Sequence, residues 1–312
     1  MKKINLAVVF YGNLAQEKTN QVQFNDLKNN LVDFQLRKYD FNKDEQEKML
    51  KDFKDGKIDI VLKNSYGRGH ENQVELFLES HGIPYLGSDS KATFIGTSKY
   101  LAKKLFRLHG LPVVEDIVVF GKNWQSDKKK IMTLLEEKIN FPCIIKDSAG
   151  TDSRGIFIVN NKNEAGKVLD VNLKEDSIFI VEKYIENPYE LTCLVVGNQT
   201  PYAYEPVGLN NDINGIVTGD MKDNNSSIKL EIPINLPKII IEKAKQITKK
   251  AHSALGCKTF SRADILVKNG KLYLLEVDVH TGFRTSSATS VAAKFSGESL
   301  NDLFLKFYNL SR

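Results

Sequence analysis

Cysteine is scarce: 3 residues in 312, Cys143, Cys193 and Cys257, far apart and with no CxxC pair. The chain therefore reads as a reduced, cytoplasmic protein. Long apolar runs are missing too. None approaches the ~20 residues a bilayer span needs, and the start "MKKINLAVVFYGN" holds only a short run, read as a first strand and not as a signal peptide. The Asn198-Gln199-Thr200 sequon is then accidental. Charge of one sign is not in large excess: 44 basic against 39 acidic residues leave +5, spread along the chain with short clusters such as Lys128 to Lys130. A nucleic-acid binder concentrates its basic residues, so nucleic acid is not an expected partner. The two commonest nucleotide signatures, GxxxxGK[ST] and a GxGxxG placed after a strand, do not occur. There is no repeat and no low-complexity tract.

What is present is the composition of a soluble globular protein, 41% hydrophobic and 27% charged, on a chain too long for one small core. Short apolar runs alternate with amphipathic stretches. "NLAVVF" (5–10) and "IDIVLKNS" (58–65) read as strands, with a lysine-rich helix near 42–55 between them, a helix over 72–82, and a strand or turn at "IPYLGS". This pattern predicts an open parallel sheet. A second unit opens with "TSKYLAKKLFRLHGLP", a helix whose Leu101, Leu105 and Leu108 share a face. Strands "VVEDIVVF", "FPCIIKDS", "GIFIVN" and "SIFIVEKYI" follow, with a lysine-rich helix near 128–138 that leaves Trp124 in a packed loop. The third part carries strands at 190–196 and 227–232, a long helix at 236–254, and the hairpin "TFSRADILVKNGKLYLLEVDV", whose Asn269-Gly270 is a strong turn signal.

The hairpin holds the chemistry. Glu276 and Asp278, two apart on a strand, point the same way beside Leu274, Leu275, Val277 and Val279, which look like core. Two adjacent anions partly out of water call for a proton or a cation between them. With Asp264 on the first strand they supply three oxygen donors to a hard divalent ion. Magnesium takes one or two carboxylates plus substrate phosphates, so a phosphate-bearing substrate is implied. The bland alternative is that these acids cap the strand and pair with Lys271 or Arg262; spacing leaves both open. Lys146 ends an apolar strand and is followed by "DSAGTDSRG", where Gly150, Ser153 and Gly155 can bring backbone N–H groups onto phosphate, or form an ordinary surface turn. In "IVEKYIENPYE", Glu182 and Glu190 can bond an adenine amino group and ribose hydroxyls. His81, His109 and His252 lie on helices and read as packing or surface residues, while His280, two past Asp278, is placed to touch substrate.

Taken in order, "HGIPYLGSDSKATFIGTSKYLAKKLFRLHGLPV", "FPCIIKDSAGTDSRGIFIV", "VEKYIENPYELT" and "RADILVKNGKLYLLEVDVHTGFRTSS" resemble the D-alanine:D-alanine ligase family of the ATP-grasp superfamily, over residues 1 to 308. The resemblance implies an α/β (α+β) ATP-grasp fold: a parallel-sheet subdomain over 1–95, a central one over 96–185 and a C-terminal one over 186–312, the last two gripping ATP. It implies ATP and magnesium, with manganese an alternative, small-molecule carboxylate and amine substrates, no membrane, and a homodimer. Lys99 and Lys146 match phosphate-binding lysines; Glu182, Lys183 and Ile185 match the adenine segment and Glu190 the ribose acid. Asp264, Glu276 and Asp278 match the magnesium ligands, Asp278 standing where the family has asparagine. Arg262 matches the arginine that meets the developing oxyanion, Gly282 the glycine of the substrate loop, Ser287 the serine that holds a substrate carboxylate, and Lys222, loosely, a loop lysine over the phosphates.

The implied reaction activates a carboxylate as an acyl phosphate, which an amine then attacks, giving an amide, ADP and phosphate. Donors to the oxyanion are each worth roughly 3 to 4 kcal/mol. The departures fall on the amino-acid pockets. Gln16 stands where the family's first loop has glutamate, with Glu17 next to it; Ser65 and His70 replace a histidine and a glutamate; Asp152 replaces a serine; "HTGFRT" brings Arg284 to the acceptor side. Two readings fit: an active ligase, making D-alanyl-D-alanine or a related amide in which Arg284 and Gln16 meet an acid or amide, or a catalytically silent ATP-binding homologue.

Overall fold

The run Ile4–Phe10 is apolar at almost every position because it is buried on both faces. It is an inner strand of a parallel sheet in a computed structural model that describes residues 2–11, 17–64, 72–150, 155–210 and 229–312. This first part runs β1 (Ile4–Phe10), α1 (Glu17–Asn30), β2 (Phe34–Asp40), α2 (Lys43–Lys54), β3 (Ile60–Lys63), α3 (Gln73–Ser80), β4 (Tyr85–Leu86) and α4 (Ser90–Thr97), with sheet order β2-β1-β3-β4. β2, "FQLRKYD", is missed by pattern reading because it is an edge strand, largely polar and only partly buried.

The second part comprises α5 (Lys99–Leu108), β5 (Asp116–Phe120), α6 (Gly121–Lys138), β6 (Cys143–Asp147), β7 (Ile156–Val159), α7 (Lys162–Asn172) and β8 (Ile178–Lys183), with an antiparallel sheet ordered β5-β8-β6-β7. Two expectations change here. In α5 the buried face is Ala102, Lys103 and Phe106, whereas Leu108 is 82% exposed. Lys103 turns inward because buried carboxylates meet it, and charge pairing overrides the leucine pattern. Trp124 sits within α6, not in a loop; it is buried, and its indole N–H donates to Asp170 at 2.9 Å.

The third part holds β9 (Tyr189–Val196), β10 (Tyr202–Ala203), β11 (Val207–Asn210), β12 (Lys229–Glu231), α8 (Lys238–Leu255), β13 (Phe260–Lys268), β14 (Lys271–Asp278), α9 (Ala288–Phe295) and α10 (Leu300–Leu310). Its sheet runs β12-β11-β9-β13-β14, with β10 on β9. Asn269 and Gly270, both at positive φ (50° and 75°), make the tight turn between β13 and β14.

Two of the cores cross between the three sheets. Leu6, Val8 and Phe10 of β1 share one cluster with Phe260, Phe283, Phe304 and Phe307 of the third part. Ala102 and Phe106 of α5 pack with α8 and the β13–β14 hairpin. The cluster of Trp124, Leu135, Ile145 and Val181 stays within the second part, and that of Val9, Tyr39, Val61 and Leu78 within the first.

Candidate active site

A bulge decides which way the hairpin acids face. Asp264 is opposite Glu276, but the next residue, Ile265, is opposite Leu274, so Leu275 is an extra residue on β14. Before it the even positions Leu272 and Leu274 are buried in the core; after it the odd positions Val277 and Val279 are. Without that shift a period of two would turn Glu276 and Asp278 toward the same core as Leu274. With it they face away from the core, on the side of Arg262 and Asp264.

The cleft lies between the second and third sheets and opens to solvent, with about 710 Å³ of empty space counting the part outside its mouth. Lys99, Lys146, Glu182, Lys183, Ile185, Glu190, Asp264 and Glu276 line it, together with Val114, Ile144, Ile156, Leu266 and Leu275. Charged groups together with aliphatic side chains from both sheets suit a flat, apolar-faced ligand with an anionic tail. Sequence reasoning named the charged lining and missed the aliphatic walls, which look like any strand residues.

Lys99 is the first residue of α5. Its amide donates to Ser148 O, and its Nζ reaches Gly150 O at 2.6 Å and Glu276 at 2.9 Å. Burial pulls its pKa down, but Glu276, Glu182 and Asp147 more than offset that and leave it raised. Lys146 Nζ meets Glu182 at 2.7 Å. Burial, with the neighbouring charges of Lys103 and Lys99, holds Lys146 below an ordinary lysine, against the pull of Glu182.

Glu182 is 2% exposed and bound by two lysines, Lys146 and Lys103. Burial pushes its carboxyl up, and the two cations outweigh it, so it stays ionised. In this structure its carboxylate meets the two lysines. Lys103, which also meets Asp116 at 2.6 Å, was not singled out; its signal is the i, i+4 spacing from Lys99. Lys183 pairs with Glu115 at 2.6 Å.

Arg262 bridges the acids: Nε to Asp264 at 3.3 Å, Nη2 to Asp278 at 3.3 Å, and Nη1 to Thr281 at 3.4 Å. Thr192 donates to Asp264 at 2.5 Å. The acids pair with Arg262 and Lys99 rather than with Lys271, the other partner the spacing allowed. Burial raises Asp278 to about 6; Arg262 opposes the shift, while Asp264 and Glu276 add to it. That repulsion, among hard oxygen donors, fits a divalent cation. As they stand, the acids are shared between Arg262 and Lys99, and among the described residues no group of three or more His, Cys, Asp or Glu side chains converges as a ready-made metal site.

On the substrate side, Ser287 caps α9, accepting from Ser290 N at 3.3 Å, and Gly282 lies between Thr281 and the core residue Phe283. Arg284 Nε is buried with no hydrogen-bond partner among the described residues. The Gly150 amide, expected to be open to phosphate, donates to Asp147 O at 3.1 Å. His280, expected to touch substrate, is drawn to Glu75 at 2.9 Å. Gln16, Ser65, His70, Asp152, Ser153 and Lys222 lie outside the described residues.

The family described as "D-ala D-ala ligase C-terminus" matches residues 105–308. A D-alanine–D-alanine ligase of Acetivibrio thermocellus is 30% identical over 268 residues, covering 85% of this chain and 71% of the relative. D-alanine–D-alanine ligase A of Bacillus cereus is 31% identical over 249 residues, with 79% and 78% covered. Among solved structures, the ATP complex of the Bacillus anthracis D-alanine–D-alanine ligase superposes with a TM-score of 0.80 at 23% identity, covering 99% of this chain and 97% of the other. The VanG D-Ala:D-Ser ligase of Enterococcus faecalis does so with a TM-score of 0.80 at 20% identity, covering 99% and 100%. The chain belongs to the D-alanine–D-alanine ligase family and is an ATP-dependent ligase that forms a carbon–nitrogen bond.

Proposed function

We propose that the cleft binds ATP and joins an amino-acid carboxylate to the amine of a second amino acid, with D-alanine the first substrate to test. The observation that carries this is the meeting of Lys99, Lys146, Asp264 and Glu276 in one cleft with aliphatic walls. In this reading the aliphatic side chains hold the base, with Lys183 and Ile185 beside it and Glu190 at the ribose. Lys99 and Lys146 leave Glu276 and Glu182 to meet phosphate oxygens. Asp264, Glu276 and Asp278 are the residues that would hold magnesium, or manganese, which neutralises charge on the transferring phosphoryl group. Freed from Asp278, Arg262 stabilises the oxyanion formed when the amine attacks the acyl phosphate. Ser287 and the start of α9 suit a substrate carboxylate; Gly282 lets the substrate approach, and Gln16 and Lys222 complete the pocket from outside the described residues. The three sheets support three subdomains, 1–95, 96–185 and 186–312, and family resemblance supports a cytoplasmic homodimer.

A second reading keeps the reaction and changes one substrate. Arg284 Nε, with no hydrogen-bond partner among the described residues, favours an amino acid with an additional acid or amide group. The test is ATP-dependent phosphate release with magnesium across D-alanine, L-amino acids and dicarboxylates, with products weighed by mass spectrometry. D-alanyl-D-alanine supports the first reading and a product from an acidic amino acid the second. ATP binding without release from any substrate favours a silent homologue. Glu276→Gln is expected to abolish release with the thermal unfolding midpoint unchanged; normal turnover would sink the assignment of this carboxylate to the metal.

A further inference from the structure

A second buried ionic cluster lies outside the cleft lining. Lys63, ending β3, donates to both carboxylate oxygens of Glu75 on α3, each at 3.1 Å. His280, on the loop after β14, meets Glu75 Oε1 at 2.9 Å and lies 3.1 Å from Lys63 Nζ; Thr93 of α4 donates to Glu75 at 3.3 Å. Glu75 is 1% exposed and Lys63 7%. Burying such charges costs several kcal/mol apiece unless they are paired and fully hydrogen-bonded, and Lys63 alone already pairs Glu75. The histidine, from the far end of the chain, adds a link between parts of the fold.

That link lands on the segment that carries the proposed chemistry. The His280 amide donates to Asp278 Oδ1 at 3.0 Å. The next residue, Thr281, contacts Arg262 Nη1 at 3.4 Å and Thr289 at 2.6 Å. Further along, the Thr285 amide donates to Asp26 Oδ2 of α1 at 2.7 Å. The loop is therefore held at both ends by acids of the first part of the chain, Glu75 and Asp26. We infer that Glu75, acting through the His280 side chain, is a positioning residue that sets the loop 279–285 and with it the orientation of Asp278 and Arg262. The kinetic half of its test rests on the ligase reading above; the exchange half does not.

The variant His280→Leu leaves the Lys63–Glu75 pair in place, so it separates the link from the burial of the pair. His280→Gln keeps an N–H donor toward Glu75. Hydrogen exchange over 279–287 and steady-state phosphate release with ATP, magnesium and D-alanine are measured for both, with Glu75→Gln as a third variant. In His280→Leu the loop amides exchange faster while the β5–β8 sheet keeps its protection, and kcat falls about 10-fold to 100-fold, the scale of a misplaced reacting group, with KM for ATP unchanged. His280→Gln restores most of both. Parental exchange and parental kinetics in His280→Leu would overturn the inference, as would equal losses in the leucine and glutamine variants. A parent that releases no phosphate with D-alanine defeats the substrate reading, and the exchange comparison still decides the role of Glu75.

Discussion

Glu182 shows how one residue ties the site to stability. Its carboxylate compensates Lys103 and Lys146, both buried, so removing it strands two cations in a low-dielectric interior. Glu182→Leu is expected to cost about 3–5 kcal/mol in urea unfolding, the range for breaking a buried pair by deleting one partner. At this scale Lys146 and the hairpin acids were legible in the sequence, because a charge on an apolar strand is conspicuous, whereas Lys99 was named by the family resemblance alone. The pairing of Glu182 was not legible: a carboxylate facing adenine and one facing lysines read alike until the chain folds.

At the scale of elements, α8, β13 and β9 meet at His252. The ring is buried, with Nδ1 at 2.8 Å from Ser261 Oγ and Nε2 at 3.0 Å from Gly197 O. Burial lowers its pKa to about 4 against the hydrogen bonds to Gly197 and Cys257, which favour the charged form. A base whose folded pKa lies below its unfolded value of 6.5 stabilises the fold fully above pH 6.5. The contribution, about 3 kcal/mol, is lost as pH falls from 6.5 toward 4. In His252→Gln, denaturant midpoints are expected to vary less between pH 7 and 4.5 than in the parent. The α6 start is set by close approach: a Cβ on Gly121 would stand 1.7 Å from Lys174 O. Gly121→Ala is expected to destabilise by about 1–3 kcal/mol, the cost of overpacking, seen as a lower thermal midpoint. The helices α2, α3, α5 and α8 were legible from periodicity and caps, whereas the polar edge strand β2 was not.

On the whole-molecule scale, the first part of the chain is a structural partner of the third. Leu6, Val8 and Phe10 share one core cluster with Phe260, Phe283, Phe304 and Phe307, and Glu75 and Asp26 hold the loop 279–285. A chain lacking residues 1–95 is expected to expose that cluster, bind a hydrophobic dye and aggregate; a monomeric, dye-silent product would contradict this. ATP with magnesium, binding the folded state alone, is expected to raise the thermal midpoint of the full chain, by about 2.7 kcal/mol of stabilisation at a hundredfold excess over Kd.

The sequence by itself determined the family, the strands and hairpin around the cleft and which residues carry charge there, because motifs, turn signals and apolar runs are local properties. Only the tertiary structure decided which way those charges point. One extra residue, Leu275, switches the faces of β14, and Lys103 turns inward on α5 to carboxylates that come from β5 and β8. His280 is taken up by Glu75, some two hundred positions earlier in the chain. Each outcome is a contest between local periodicity and the cost of leaving a buried charge uncompensated, and in this fold the charge prevails.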